Sequence, residues 1–133
     1  MTIDTDAEEM KAIEILIKCS EESIKSNQIF FEEWKKGVKL AGYEFFGDGT
    51  KDGFEKSSLI DDLRPIFIEF KDALKYKSPA ESAFLASLYS FYNSDKAADL
   101  CKILKLKSVG DLTGLDTNHR HVIANLLVNY RGW

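Results

Sequence analysis

Residues 78–92 have the sequence SPAESAFLASLYSFY, and they contain the strongest helix signals in the chain. Ser78 can act as the N-cap, Pro79 fits the first turn, and Glu81 completes a capping box three residues after the cap. Behind this start, apolar side chains form two helical stripes, which are Phe84, Leu88 and Phe91 and then Leu85, Tyr89 and Tyr92. A helix that is apolar on most sides is normally enclosed by other helices. We therefore predict a central buried helix at 79–92 in an all-α fold.

The composition predicts one soluble domain that covers residues 1–133. A chain of 133 residues can bury roughly two-thirds of its surface on folding, which is enough for a self-sufficient core. The first residues are acidic where a secretory signal would be basic, and no apolar run approaches the length of a membrane span. Cys19 and Cys101 are too few for a disulfide framework. We therefore expect a cytoplasmic protein with no membrane contact.

The first part of the chain predicts two helices. A capping box at 5–8 begins an amphipathic helix that should lie on the core. Its apolar positions are Met10, Ile13, Leu16, Ile17 and Ile24. Ser26-Asn27 is expected to interrupt this helix, because Asn favours caps and turns. A second helix should run from about Gln28 to Ala41 and end at Gly42, with Phe30, Trp34 and Val38 on its apolar stripe.

Three more helices are predicted around the central one. The first should run from Ser58 to Tyr76, and Pro65 should either kink it or split it into a short and a longer piece. We favour the kink, because the apolar period continues across the proline. The others begin at Ser94-Asp95 and at Asp116 or Thr117, and a short helical turn lies between them at 109–113. The sequence therefore predicts a single globular helical bundle of about six main helices plus a short helical turn.

The segment 43–57 is predicted to be a loop. Its residues 47–53 have the sequence GDGTKDG, with three glycines and two aspartates. Long loops in compact domains are often functional. Tyr43, Phe45 and Phe46 precede the glycines, and we expect this aromatic part of the loop to present side chains to a partner.

The same loop suggests a calcium site as an alternative function. Asp48, Thr50 and Asp52 match the first ligand positions of an EF-hand loop that would extend over 48–59. The twelfth position should be a bidentate Glu and is Leu59 instead. A glycine-rich turn without an ion is the simpler interpretation, and a calcium-responsive loop remains the alternative.

Residues for catalysis or for a cofactor do not form a recognisable pattern. His119 and His121 are two residues apart, so on a helix they point to different faces and cannot share a metal. Neither cysteine has a histidine near it in the sequence, and there is no phosphate-binding loop or Gly-x-Ser-x-Gly motif. We predict that the protein is not an enzyme and uses no cofactor, metal or small-molecule substrate.

Lysines near two helix ends suggest a nucleic-acid partner as another alternative. They are Lys71, Lys75 and Lys77 in one group and Lys102, Lys105 and Lys107 in the other. Lysines at helix C-termini also complement the helix dipole, which explains them without a ligand. The isoelectric point of about 5.2 disfavours nucleic-acid binding, since such domains are usually strongly basic.

A protein partner, or self-association, is the leading functional hypothesis. Residues 1–33 contain nine acidic residues and three lysines, so this end of the chain could face a basic partner. Trp and Arg are enriched at binding hot spots, and Arg131 and Trp133 lie together at the C-terminus. Trp34 falls on its helix stripe and is expected in the core. We predict a non-catalytic regulator, inhibitor or adaptor that binds through Trp133, Arg131 and the aromatic loop.

Overall fold

The computed structural model describes the backbone of residues 2–104, 106 and 109–133, and the side chains of those residues from position 6 onward except position 109. Within these ranges the chain is all-α, as predicted, with six α-helices and no strand. They are α1 (Thr2–Ala41), α2 (Lys51–Lys56), α3 (Phe67–Ala73), α4 (Pro79–Tyr92), α5 (Ser94–Leu104) and α6 (Thr117–Asn129). Three short 3₁₀ turns cover Tyr43–Phe45, Ile60–Leu63 and Val109–Gly114. The last of these corresponds to the short helical turn expected at 109–113.

Helix α4 is the central buried helix that the sequence predicts. The Ser78 hydroxyl accepts a hydrogen bond from the Glu81 backbone N–H at 3.2 Å and donates one to the Glu81 carboxylate. Phe84, Leu88 and most other side chains of α4 are buried. The helix contacts α1, α3, α5 and α6, so its all-round apolar surface is enclosed by neighbours.

Helix α1 is one continuous helix, so the predicted interruption at Ser26-Asn27 is wrong. Ser and Asn each cost only about 0.5 kcal/mol relative to Ala inside a helix, which is too little to end one whose apolar period continues on both sides. The expectation that the N-terminal half lies on the core is also wrong. Its apolar side chains are exposed, and Phe30 is the first buried residue of the chain in the described part.

The C-terminal third of α1 packs against α6 and α4. Trp34 is fully buried, as expected, and its indole N–H donates to the Leu63 carbonyl at 2.9 Å. Gly37 allows a close approach, because a Cβ there would lie 3.2 Å from Leu88 and 3.3 Å from Val122. The helix ends at Gly42, which adopts φ = 123° and donates its N–H to the Val38 carbonyl.

The predicted loop 43–57 contains two helical elements, so this prediction is wrong in part. The chain forms a 3₁₀ turn at Tyr43–Phe45 and then α2. The Thr50 hydroxyl caps α2 by accepting a hydrogen bond from the Gly53 N–H at 3.0 Å. The glycine-rich composition therefore supplies turn and cap residues around a short helix instead of an open loop.

Pro65 divides the predicted helix 58–76 and does not kink it. Arg64 is extended, with ψ = 138°, because the residue before a proline is disfavoured in the helical region. The Arg64 carbonyl accepts from the Gly47 N–H at 2.8 Å, and the Ile66 N–H donates to the Phe45 carbonyl at 2.9 Å. These bonds hold residues 64–66 alongside residues 45–47, so α3 begins only at Phe67.

The C-terminal helices follow the sequence prediction closely. Asn93 accepts from the Lys96 N–H at the start of α5, and Asp116 accepts from the His119 N–H at the start of α6. Buried residues from all six α-helices belong to one apolar cluster. Trp133, after α6, packs against the edge of this cluster.

Candidate functional site

The most prominent surface feature is the N-terminal half of α1. We call residues 6–28 of this helix the stem, because all of them except Ser26 are exposed. At about 1.5 Å per residue the stem is roughly 35 Å long. Its large apolar side chains are each more than half exposed, so a large apolar surface remains in contact with solvent.

Five apolar side chains lie on one face of the stem and form a surface that we call the stripe. They are Met10, Ile13, Leu16, Ile17 and Ile24, each 53–67% exposed. Their spacing of three, four and seven residues places them on one side of a helix. The same spacing continues to half-buried Phe31 and to buried Trp34 and Val38, so the stripe side overlaps the face that α1 turns toward the core. Ile15 is also 62% exposed but falls on the opposite side.

A groove of about 590 Å³ lies where the stem meets the folded body. We call it the basal groove. Its walls are Ile24, Asn27, Gln28, Phe30 and Phe31 from α1, Ser58–Ile60, and Arg131–Trp133. Ile24 belongs both to the stripe and to the groove wall, so the two surfaces are continuous.

Trp133 forms the inner wall of the groove. Its ring packs edge-on against Trp34 and Tyr92, with centroid distances of 4.9 Å in both cases. Its indole N–H donates to the Asp61 carboxylate at 2.8 Å. The hydrogen bond from the Arg64 guanidinium, which has the larger effect, and the one from the Trp133 indole lower the pKa of Asp61 below its ordinary value. Trp133 is therefore fixed on both sides and remains half-exposed.

Arg131 lines the outer part of the groove and is exposed. It forms no ion pair with any residue that the structure describes. The stem bears six acidic residues and three lysines between positions 6 and 28, a net charge of −3. The surface therefore combines an acidic helix, an apolar face and a cation at its base.

The structure brings together two of the five residues that the sequence singled out. Arg131 and Trp133 lie in the same groove wall, whereas Tyr43 is half-buried against Phe54 and does not line the groove. Phe45 and Phe46 are 0% and 1% exposed, which contradicts the expectation that they present side chains to a partner. They are buried because residues 45–47 pair with the backbone around Pro65 and direct both rings toward Phe70.

The stripe was missed as a site because an amphipathic pattern is also what a helix packed on its own core requires. Exposure decides between these two interpretations, and a single sequence does not give exposure. The unusual length of the apolar period, which recurs from Met10 to Val38 with polar residues only at 20–21 and 27–28, was the available signal.

Four of the residues considered for metal binding or catalysis, Asp48, Thr50, Asp52 and His119, are engaged in local contacts. Asp48 accepts from the backbone N–H and the hydroxyl of Thr50, and Asp52 pairs with Lys56 at 3.0 Å. His119 contacts Asp116 through Nδ1 at 2.6 Å and packs on Phe84. The described residues contain no group of three or more His, Cys, Asp or Glu side chains placed to hold a metal ion.

The lysine groups are only partly within the described residues, because Lys105 and Lys107 lie outside them. Lys75 pairs with Asp72 at 3.5 Å, and Lys77 pairs with Glu81 at 3.4 Å. These contacts are typical of lysines around helix ends.

Comparison of the chain with protein-family models, curated proteins and solved structures finds no match. Among the helices of the described residues, none combines the length and the apolar character that crossing a membrane requires.

Proposed function

We propose that this protein is not an enzyme and acts by binding another protein, as a regulator, inhibitor or adaptor. The proposed binding surface is the stripe together with the basal groove, which includes Arg131 and Trp133. A cytoplasmic location is part of the same proposal.

The observation that supports this proposal is the exposure of the stripe. Five side chains that are more than half exposed present on the order of 600 Å² of apolar surface, which is large for a monomeric protein. An isolated helix in water is only marginally stable unless its apolar face is packed, and the stem is rich in Ile and Ser instead of Ala. A partner on the stripe would supply the missing packing.

The basal groove has the features of a binding hot spot. It is concave, it is bordered by aromatic rings, and Arg131, which has no ion pair among the described residues, lies at its edge. Trp, Tyr and Arg in such positions dominate the binding free energy of many interfaces. Because Trp133 is already held by Trp34 and Asp61, a partner would lose little side-chain entropy by packing on it.

The test is to purify the tagged protein from its natural host in three forms. These are the wild type, the stripe variant Ile17→Lys and the control Ile15→Lys, which places the same charge on the opposite face. We expect one defined partner to be retained by the wild type and by Ile15→Lys and to be lost from Ile17→Lys. Identical co-purifying proteins in all three forms would refute the stripe as the binding surface.

The two alternatives stay predictions and have their own measurements. Retardation of DNA or RNA on a gel by the protein at low salt would favour the nucleic-acid alternative, since phosphate contacts are strongest at low salt. A rise in melting temperature in millimolar calcium would favour the calcium alternative, since a ligand that binds the native state stabilises it.

A further inference from the structure

We propose that the partner on the stripe is a second copy of this chain, which binds antiparallel along the stem. This inference rests on the proposed function, because it names the occupant of the same surface. The pairing would be an isologous two-fold contact, in which each copy contributes its stripe and its basal groove.

The stripe fills one apolar position of a coiled-coil seam in three successive heptads and the second position in the first heptad, whereas Ser20 and Asn27 occupy that second position in the next two. Met10, Ile17 and Ile24 follow one another at intervals of seven residues, and Ile13 lies three residues after the first of them. Apolar residues in a strict seven-residue repeat keep the same face toward a partner helix along a left-handed supercoil. The stripe is therefore suited to another helix of similar length and not to a flat surface.

The position of the folded body decides the direction of the pairing. Trp34 and Val38, which follow the stripe at the same spacing, are buried, so the body overlaps the stripe side of α1 at the C-terminal end of the helix. In a parallel pair, both bodies would occupy the space at the same end of the seam and would collide. In an antiparallel pair they lie at opposite ends of the seam.

The charges also favour the antiparallel direction. A register that places Met10 of one copy beside Asn27 of the other brings Asp6 and Glu9 to the level of the basal groove. These two acids lie on the stripe side of the helix by their spacing, at the end of an otherwise apolar face. The groove of the second copy offers them Arg131, which has no ion pair in the described part of its own chain.

The edge of the seam shows how the acidic stems can lie together. Glu14 and Glu21 border the stripe on one side, and Lys18 and Lys25 follow them at a distance of four residues. This edge therefore bears both signs of charge in each copy. A parallel pair would instead bring the acidic first turns of both stems side by side, which is unfavourable.

The available area is sufficient for a specific dimer. Two stripes could bury at most about 1,200 Å² of apolar surface, and the grooves and flanking side chains would bring the total within the roughly 1,200–2,000 Å² of specific interfaces. A membrane surface is a poorer occupant, because a net charge of −3 on the stem disfavours anionic lipid.

The first experiment measures the mass of the full chain in solution by sedimentation velocity from 1 to 100 µM. We expect a dimer for the wild type and for Ile15→Lys, and a monomer for Ile17→Lys, with circular dichroism confirming that the body is folded in each. A wild type that is monomeric at 100 µM, or an equal loss of dimer in both variants, would overturn the inference.

The second experiment measures the direction. The variant Glu8→Cys is spin-labelled in a Cys19→Ser, Cys101→Ser background. The distance between the labels of the two copies is measured by pulsed electron paramagnetic resonance. Glu8 lies on the face away from the stripe, so the width of the pair separates the labels by roughly 20 Å in a parallel pair. The antiparallel register adds roughly 32 Å along the axis, which gives a distance of roughly 35–40 Å. A short distance would overturn the antiparallel arrangement.

The third experiment tests the charge contact. Arg131→Glu should weaken the dimer about tenfold, because the two-fold axis repeats the contact. Combining it with Asp6→Lys and Glu9→Lys should restore the dimer. No rescue would refute this register.

The outcomes separate the two proposals. A monomeric chain whose host partner is lost only with Ile17→Lys refutes the dimer and supports the proposed function. A monomeric chain with no stripe-dependent partner refutes both.

Discussion

Replacement of Trp133 by Ala should destabilise the folded body, even though Trp133 is the last residue of the sequence and half-exposed. Its ring packs against three aromatic side chains, with centroid distances of 4.9 Å to Trp34, 4.9 Å to Tyr92 and 6.4 Å to Phe30. Each aromatic pair contributes about 0.5–1.5 kcal/mol beyond the area that it buries. Because the ring is only partly buried, we expect about half of the roughly 3–5 kcal/mol that a core Trp→Ala change costs, or about 2 kcal/mol.

A conservative variant separates the contribution of ring packing from that of the hydrogen bond to Asp61. Trp133→Phe keeps most of the ring contacts and removes the indole N–H that donates to Asp61. The free energy of unfolding should then fall by only about 1 kcal/mol, the usual contribution of one hydrogen bond and somewhat more when its acceptor is charged.

The assay is urea unfolding followed by far-ultraviolet circular dichroism, because tryptophan fluorescence would change with the substitution itself. The midpoint should shift with little change in the slope, since the surface exposed on unfolding is almost the same. A loss below about 0.5 kcal/mol for Trp133→Ala, the level of an ordinary surface substitution, would show that the C-terminal ring does not seal the core.

Three further predictions concern single residues of the body. Asp61→Asn should make the free energy of unfolding less dependent on pH in the acid range. The lowered pKa of Asp61 stabilises the folded state fully above the ordinary pKa near 3.8, and this stabilisation is lost as the pH falls through the pKa of the folded state. Acid titrations of the wild type and the variant should therefore converge at low pH. Gly47→Ala should cost at least about 2 kcal/mol in urea unfolding, because Gly47 has φ = 60° and a Cβ would collide with the Asp62 carbonyl oxygen. Ser78→Ala should lower the free energy of unfolding by about 1 kcal/mol, since the Glu81 N–H loses its acceptor, and Ser78→Asp, which restores one, should recover most of this loss.

The central helix was predictable because its signals are local. The cap at Ser78, the proline after it and the apolar residues on nearly every side all point to a buried helix, and none of them depends on a distant contact. The caps of α6 and the end of α1 at Gly42 were predictable for the same reason.

The errors arise where tertiary contacts decide between two acceptable local structures. Pro65 can kink or end a helix, and the backbone bonds from residues 64–66 to residues 45–47 favour the second outcome. The same pairing buries Phe45 and Phe46, whose glycine-rich neighbours suggested an exposed loop.

The candidate site was only half predictable. The enrichment of Trp and Arg at interfaces directed attention to Arg131 and Trp133, which do line one groove. The stripe was identified as apolar and helical, but periodicity does not reveal whether a face packs on its own core or is left to solvent.

Helix α1 is continuous between its exposed tip and the core, and this has a mechanical consequence. One rod of 40 residues contains both the exposed tip and Trp34, and no glycine or proline separates them. A force applied near Met10 is therefore transmitted along the helix to Trp34, whose indole packs between Trp133 and Phe46. Binding of a partner at the tip should therefore change the fluorescence of Trp34.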